Sequence, residues 1–228
     1  MQKDALIVFV KAPIKGRVKT RLSPYLSDDQ ILRLYKSFLN MITMRCSRLK
    51  DVDRFLGCTP SKEDGFLLNL AKGYGYRCFE QKGNNLGERI INAFKEHLDM
   101  GYKKVVIIGS DSPTIPLEYI RMAFRSLEEM DLVIGPCNDG GYYLVGAKRL
   151  YDSPFKGIPW DTSDVLNKTL DKLNSMGVNY FLLPFWYDID RIEDLRFYKR
   201  HLKYLRVMGE EEYRLKAIGL RLKNIKPL

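Results

Sequence analysis

The chain has 228 residues, of which 45% are hydrophobic, so it suits one large domain or one domain plus a small extension. No apolar run reaches the roughly 20 residues that span a bilayer. The six apolar residues before Lys11 are too short for the core of a signal peptide, so a cytoplasmic protein is expected. The net charge is +10, and the stretch 196–228 carries ten basic residues against three acidic ones, or +7 of that total. The rest is nearly balanced, which argues against a nucleic-acid-binding body and leaves a basic C-terminal appendage.

The first element is the apolar run Ala5–Val10, a buried strand. It leads into Lys11-Ala-Pro-Ile-Lys-Gly-Arg-Val-Lys-Thr-Arg-Leu22, where Lys11, Lys15, Arg17, Lys19 and Arg21 surround Pro13 and Gly16. A strand followed by such a loop and then a helix places the loop at the carboxyl edge of an α/β sheet, where ligands bind. Arginine grips phosphate oxygens bidentately and lysine acts as a mobile point charge, so these cations suit a polyphosphate. Gly16 lets the backbone approach such a ligand. A solvated basic loop is the plainer alternative. The stretch is neither Walker A nor Gly-x-Gly-x-x-Gly.

Ser27-Asp28-Asp29-Gln30 reads as a capping box, and Ile31, Leu34, Tyr35, Phe38, Ile42, Cys46 and Leu49 follow as one helical face. Strands are expected at 54–58 and 76–79, then a helix over Leu86–Leu98 and a strand at 104–108. That strand ends in Gly109-Ser110-Asp111-Ser112-Pro113, which puts Asp111 on the edge that carries the basic loop. A carboxylate beside bound phosphates needs a bridging cation, and Mg²⁺ or Mn²⁺ favours such oxygen ligands. The alternative is that Asp111 caps the helix after Pro113. That helix is expected to start at Pro116.

Strands at 131–135 and 142–147 lie too close for a helical crossover, so one antiparallel strand is expected in an otherwise parallel sheet. Asp139-Gly140-Gly141 between them is a turn signal, or a loop that offers Asp139 to acceptor hydroxyls. Trp160 and Asp161 precede a helix that Thr162 or Asp161 would cap and Gly177 would end; Trp160 could instead be a platform for a sugar or base. After a strand at 178–184 comes Tyr187-Asp188-Ile189-Asp190-Arg191-Ile192-Glu193. In an extended Asp-Ile-Asp both carboxylates point to one face, good geometry for a metal or for a metal and a hydroxyl. Alternatively, Asp190 and Glu193 form a capping box.

Cys46, Cys58, Cys78 and Cys137 form no Cys-x-x-Cys pair, and His97 and His201 stand alone, which argues against structural zinc or a disulfide framework. Cys58 and Cys78 read as small core residues. A domain over 1–206 and a basic helical extension over 207–228 are expected. Tyr198, Leu202, Leu205, Tyr213 and Leu220 would pack the tail on the domain or on a partner subunit, so a homodimer is one expectation.

Taken together, these motifs resemble a family of glycosyltransferase-A-type proteins known as radical-SAM-associated or arsenosugar-biosynthesis glycosyltransferases. The matching pieces are the basic loop, Asn-Leu-Gly-Glu-Arg at 85–89, Gly-Ser-Asp-Ser-Pro at 109–113, Gly-Pro-x-x-Asp-Gly-Gly-Tyr-Tyr-Leu at 135–144, Trp-x-Thr at 160–162 and Asp-Ile-Asp-x-x-Glu-Asp-Leu at 188–195. The basic loop also resembles that of guanylyltransferases acting on phospholactate or molybdopterin. The resemblance implies a three-layer α/β/α sandwich of the nucleotide-diphospho-sugar transferase type with a mostly parallel, mixed sheet. It implies that Lys11, Pro13, Gly16, Arg17, Lys19 and Arg21 hold nucleotide phosphates, with Gln81, Gly87 and Arg89 near the base or phosphates. Asp139, Gly140, Gly141, Tyr142 and Trp160 would line the sugar or acceptor pocket. Asp111 would hold a divalent metal, and the bottom-up reading adds Asp188 and Asp190.

Two chemistries fit. In glycosyl transfer, placed first, an acceptor hydroxyl attacks the anomeric carbon of a nucleotide sugar and Asp139 or Asp161 takes its proton, while metal, Asp111 and Lys19 serve the diphosphate. In nucleotidyl transfer, a phosphorylated acceptor attacks the α-phosphorus of a nucleoside triphosphate, and the basic loop favours this route. A non-catalytic nucleotide- or RNA-binding protein using the basic tail is the reading from another class.

Overall fold

A computed structural model of the protein describes residues 3–207. Among these residues seven strands and six α-helices follow in the order β1 (Asp4–Lys11), α1 (Asp28–Cys46), β2 (Val52–Thr59), α2 (Gly65–Tyr74), β3 (Arg77–Glu80), α3 (Leu86–Asp99), β4 (Val105–Gly109), α4 (Leu117–Ser126), β5 (Leu132–Pro136), β6 (Tyr142–Ala147), α5 (Val165–Ser175), β7 (Tyr180–Leu182) and α6 (Ile192–Val207). They form one sheet in the order β3-β2-β1-β4-β6-β5-β7. Strand β6 runs antiparallel to its neighbours β4 and β5, and the remaining pairs are parallel. The expected mixed sheet is therefore present, with the hairpin strand inserted between β4 and β5.

Period-two alternation in the strands builds two cores. Leu6, Val8 and Val10 of β1 face a layer made by α1, α2, α4 and α6, while Ala5 and Ile7 face α3 and α5. Both faces of β1 are buried, which is why it reads as an unbroken apolar run. The Ser27 capping box forms as expected: the Ser27 hydroxyl accepts from Gln30 N and the Gln30 side chain accepts from Ser27 N.

One helix was not expected and another begins later than expected. Helix α2 had no sequence forecast; Asp64 caps it, its carboxylate accepting from Leu67 N. Helix α5 starts later than Thr162, with Asp164 at its N-cap position. Thr162 instead donates its hydroxyl to Pro159 O at 2.8 Å. Tyr198, Leu202 and Leu205 of α6 pack into the core of the domain. The expected extension 207–228 lies outside the described residues except for Val207, and so do Tyr213 and Leu220. Among the described residues, no helix is long and apolar enough to cross a membrane.

The parallel strands all end at one edge, so the segments after β1, β3, β4, β5 and β7 converge there. Strand β1 lies between β2 and β4, and the chain leaves it first toward β2 and β3 and later returns to β4 on its other side. That reversal opens a crevice at the carboxyl ends of β1 and β4, the position at which open α/β sheets bind ligands.

Candidate active site

The loop after β1 is anchored from beneath. Ala12, Pro13, Val18 and Leu22 are buried, while Lys11, Lys15, Gly16, Arg17 and Arg21 are exposed. Gly16 turns the chain at φ +73°, and Lys19 is the one non-glycine among the described residues with a positive φ, +47°. An L-residue held in that region costs of order 1 kcal/mol or more, and such strain collects at functional positions. It turns the Lys19 side chain inward, where it is 4% exposed.

There the Lys19 ammonium meets two carboxylates, Asp111 at 2.6 Å and Asp190 at 2.7 Å. Burial alone would depress the lysine, but the two acids outweigh it and hold the ammonium above its ordinary range. Arg21 reaches Asp190 at 3.5 Å and Lys15 pairs with Asp29 at 2.8 Å. Lys11 and Arg17 make no ion pair among the described residues, so the loop keeps positive charge in reserve.

The segments carrying Asp111 and Asp188 are stitched together. Ile189 N donates to Asp111 O at 3.0 Å, Ser112 donates its hydroxyl to the Asp188 carboxylate and also to Tyr187 O, and Thr114 donates to the Tyr187 hydroxyl. Ile189 is fully buried, so Asp188 and Asp190 share the opposite face as the alternation requires. Asp111 does not cap α4, whose N-cap is Pro116. Nor does Asp190 form a capping box: its carboxylate is taken by Lys19, and Asp194 accepts from Asp190 N and Arg191 N instead. Burial and then the Asp111 charge push Asp188 up to about 7, while Lys19 and Ser112 oppose them only in part. Asp139 adds to that crowding.

The expected acceptor residues divide. Asp139 accepts from Gly141 N at 2.9 Å, and a carboxylate oxygen of Asp139, one of Asp188 and the Cys137 sulfur lie within 4.8 Å of one another. Gly140, at φ +88°, abuts Ser163, and a Cβ there would fall 2.0 Å from Ser163 O. Trp160 packs edge-on to Tyr142 with centroids 6.1 Å apart, and the Tyr142 hydroxyl is buried. Asp161 is exposed on the segment that follows Trp160. Gln81 spans the ends of two strands, donating to Gly57 O and Val10 O, and Arg89 donates to Gly83 O. Both hold the edge loops in shape.

Gly87 is required by close approach. A Cβ there would lie 2.2 Å from Phe155 O and 2.8 Å from the Trp160 ring. Gly87→Ala is expected to cost about 1–3 kcal/mol through overpacking. Urea unfolding checks this, and an unchanged midpoint would show that the Trp160 segment yields freely.

A family model described as an uncharacterized protein conserved in bacteria, DUF2064, matches residues 42–162, just over half of the chain. The chain belongs to the DUF2064 family. A crystal structure from Desulfovibrio desulfuricans G20, provisionally assigned as a nucleotide-diphospho-sugar transferase, matches this DUF2064 protein with a TM-score of 0.85 at 32% identity, covering 94% of each chain. Among curated proteins, 2-phospho-L-lactate guanylyltransferase of Methanocaldococcus vulcanius is 26% identical over 196 residues, 83% of this chain and 82% of that one. The Methanobrevibacter smithii protein of the same name is 28% identical over 132 residues, 58% of this chain and 57% of its own length. The expected fold type and the expectation of a transferase both stand. The radical-SAM-associated glycosyltransferase name finds no support in these comparisons.

Sequence reasoning on this DUF2064 chain missed three site residues. Ser112 and Asn138 bind Asp188, the first through its carboxylate and the second through its backbone N–H. Cys137 carries no signal in the sequence beyond its place one residue before the Asn-Asp-Gly-Gly turn.

Proposed function

We propose that the protein is a nucleotidyltransferase, coupling a nucleoside triphosphate to a phosphorylated small molecule with release of pyrophosphate. The observation that carries this reading is the β1 loop, whose Lys11 and Arg17 are exposed and unpaired among the described residues beside the fixed Lys19 ammonium. A triphosphate brings more negative charge than the diphosphate of a nucleotide sugar, and this loop has cations left to meet it. The name of the curated relatives supplies a concrete pair, guanosine triphosphate and 2-phospho-L-lactate.

In this reaction an acceptor phosphate oxygen attacks the α-phosphorus. A new phosphorus–oxygen bond forms, the bond to the α,β-bridging oxygen breaks, and pyrophosphate leaves with that electron pair. The nucleophile is already an anion, so no residue has to remove a proton. Of the two candidate bases, Asp139 accepts from Gly141 N through one oxygen and Asp161 stands exposed beyond Trp160. Lys19 stays protonated throughout and acts as a fixed charge rather than as an acid or base. Asp190 keeps it in place.

A divalent cation is the expected cofactor, and the donor set fits one. Asp188 is raised first by its burial and then by the charges of Asp111 and Asp139, and carboxylates gathered in this way are oxygen donors of the kind such a cation takes. Asp111 and Asp188 would hold the ion. Bound there, Mg²⁺ or Mn²⁺ would neutralise phosphate oxygens and the departing pyrophosphate. Asp190, committed to Lys19 and Arg21, is left out of the ligand set.

The test is a product assay with each of the four nucleoside triphosphates, 2-phospho-L-lactate and Mg²⁺ or Mn²⁺. Pyrophosphate and a diphosphate-linked product are expected. Nucleoside diphosphate released from a nucleotide sugar, with no pyrophosphate from any triphosphate, would overturn the reading in favour of glycosyl transfer.

A further inference from the structure

Strand β1 addresses its two neighbours with alternate residues. Ala5 N donates to Lys104 O, on the β4 side, and Ala12 N donates to Thr59 O, on the β2 side. Odd-numbered residues of β1 therefore turn their peptide groups toward β4. Lys11 is the last of them, but the pairing of β1 with β4 stops at Phe9 and Gly109. The crevice opens there, and the N–H and C=O of Lys11 are left without a strand to pair with.

Tyr35, on the buried face of α1, takes that place. Its hydroxyl accepts from Lys11 N at 3.0 Å and donates to Lys11 O at 3.2 Å. The one phenolic proton is then committed, so in the 3.4 Å contact with the Ser110 hydroxyl the serine is the donor. Ser110 adjoins Asp111. Burial, and next the Asp111 charge, push Tyr35 up to about 12, so the hydroxyl keeps its proton at neutral pH. One oxygen thus joins the start of the basic loop to the segment that carries Asp111.

We infer that Tyr35 is a positioning residue, whose hydroxyl fixes the spacing across the crevice between the loop that meets the triphosphate and the Asp111 carboxylate that holds the cation. This rests on the reading of the site proposed above and adds to it what sets the two halves against each other. Spacing matters because Mg²⁺ takes its oxygen ligands at about 2.0–2.1 Å in a near-ideal octahedron, so a carboxylate and a phosphate oxygen sharing one ion tolerate little drift. Lys19 also crosses the crevice, but through the Asp111 carboxylate itself. The Tyr35 bridge uses no carboxylate. Phenylalanine would fill the same core volume, so the hydroxyl adds only the bridge.

The experiment measures the dissociation constant of the full chain for whichever of the four nucleoside triphosphates binds best. It is measured in a chelating buffer and again with Mg²⁺ or Mn²⁺, whichever tightens wild-type binding more. The ratio of the two constants reads how well the carboxylate and the loop cations meet one ligand. Tyr35→Phe is expected to lower that ratio about tenfold. The metal-free constant is expected to stay unchanged, because Ala12 N still ties the start of the loop to Thr59 O. Ser110→Ala is expected to act alike from the other side, and the double variant to lose no more than either single one. Circular dichroism checks folding, and Ser110→Ala carries the comparison if Tyr35→Phe does not fold. A metal-free constant that weakens as much as the metal-loaded one would overturn the inference, since the hydroxyl would then only support the loop. A ratio that either folded variant leaves unchanged would overturn it too, with the cation-dependent reading still in place. A wild type that binds no triphosphate, or binds it no more tightly with either cation, would overturn that reading and the inference together. Nucleotidyl transfer succeeds or fails separately, in the pyrophosphate assay.

Discussion

Lys19→Met is expected to lower kcat for pyrophosphate release by about 10²–10³-fold, the loss seen when one preorganised charge is taken from a developing anion. Methionine keeps most of the volume and removes only the ammonium, which lies 2.6 Å from Asp111 and 2.7 Å from Asp190. Without it only Arg21, 3.5 Å from Asp190, still offsets the two carboxylates beside Asp188, and the site repels the polyphosphate it has to bind. The stability cost is smaller than for a wholly buried pair, because the Asp111 and Asp190 side chains are 41% and 35% exposed and recover water. We expect a loss of about 1–2 kcal/mol, or a few degrees in Tm for a chain of this length. Lys19→Arg is expected to restore activity only in part, since a planar guanidinium cannot replace a point charge held between two acids. The measurement is kcat and KM for the triphosphate, beside a melting curve. A raised KM at unchanged kcat would mean that Lys19 binds ground state and transition state equally. Unchanged kcat and KM together would remove it from the site.

The parts legible in the sequence are those that local chemistry dictates. Ala5–Val10 and Val105–Ile108 read as strands because both faces of each are buried, so the pattern needs no knowledge of neighbours. Their carboxyl ends then had to carry the basic loop and Asp111 to one edge. Helix α2 was not legible, because Gly65 and Gly73 weaken a helix of only ten residues that its Asp64 cap sustains. The sequence named Lys19 among the catalytic candidates of its loop but held no sign of how it is set. Its left-handed backbone and its bond to Asp190, 171 residues away, are products of the tertiary fold. Asp190 had two local readings, metal ligand or helix cap, and neither contained the ion pair with Lys19 that the fold builds across 171 residues. Cys137 was silent for a related reason: a buried cysteine looks like any small core residue until the Asp139 and Asp188 oxygens are seen beside it.

Asp188→Asn is expected to stabilise the metal-free protein above neutral pH and to abolish cation-dependent nucleotide binding. The Asp188 carboxyl is raised to about 7 in the folded state, with burial the main cause and the Asp111 charge next, from an ordinary value of 3.8 in the unfolded chain. Between those two values the folded protein holds a proton that the unfolded chain has already lost. Folding stability therefore falls as pH rises from about 4 to about 7, and above 7 the charged carboxylate carries its full penalty. Asparagine removes that charge and keeps a side-chain oxygen to accept from Ser112. The full displacement would amount to about 4 kcal/mol. A half-buried carboxylate retains part of its hydration, so we expect a gain of about 1–2 kcal/mol at pH 8 and none at pH 4. Melting curves in a chelating buffer at the two pH values check this, and equal gains at both would mean that packing rather than charge is responsible. The same substitution takes one ligand from the cation, so the shift in Tm that a triphosphate gives with Mn²⁺ should vanish while any cation-independent shift survives. A site that gains stability and loses function on losing one charge is a site whose charge was placed for a cation, and a variant that kept its Mn²⁺-dependent shift would remove Asp188 from the ligand set.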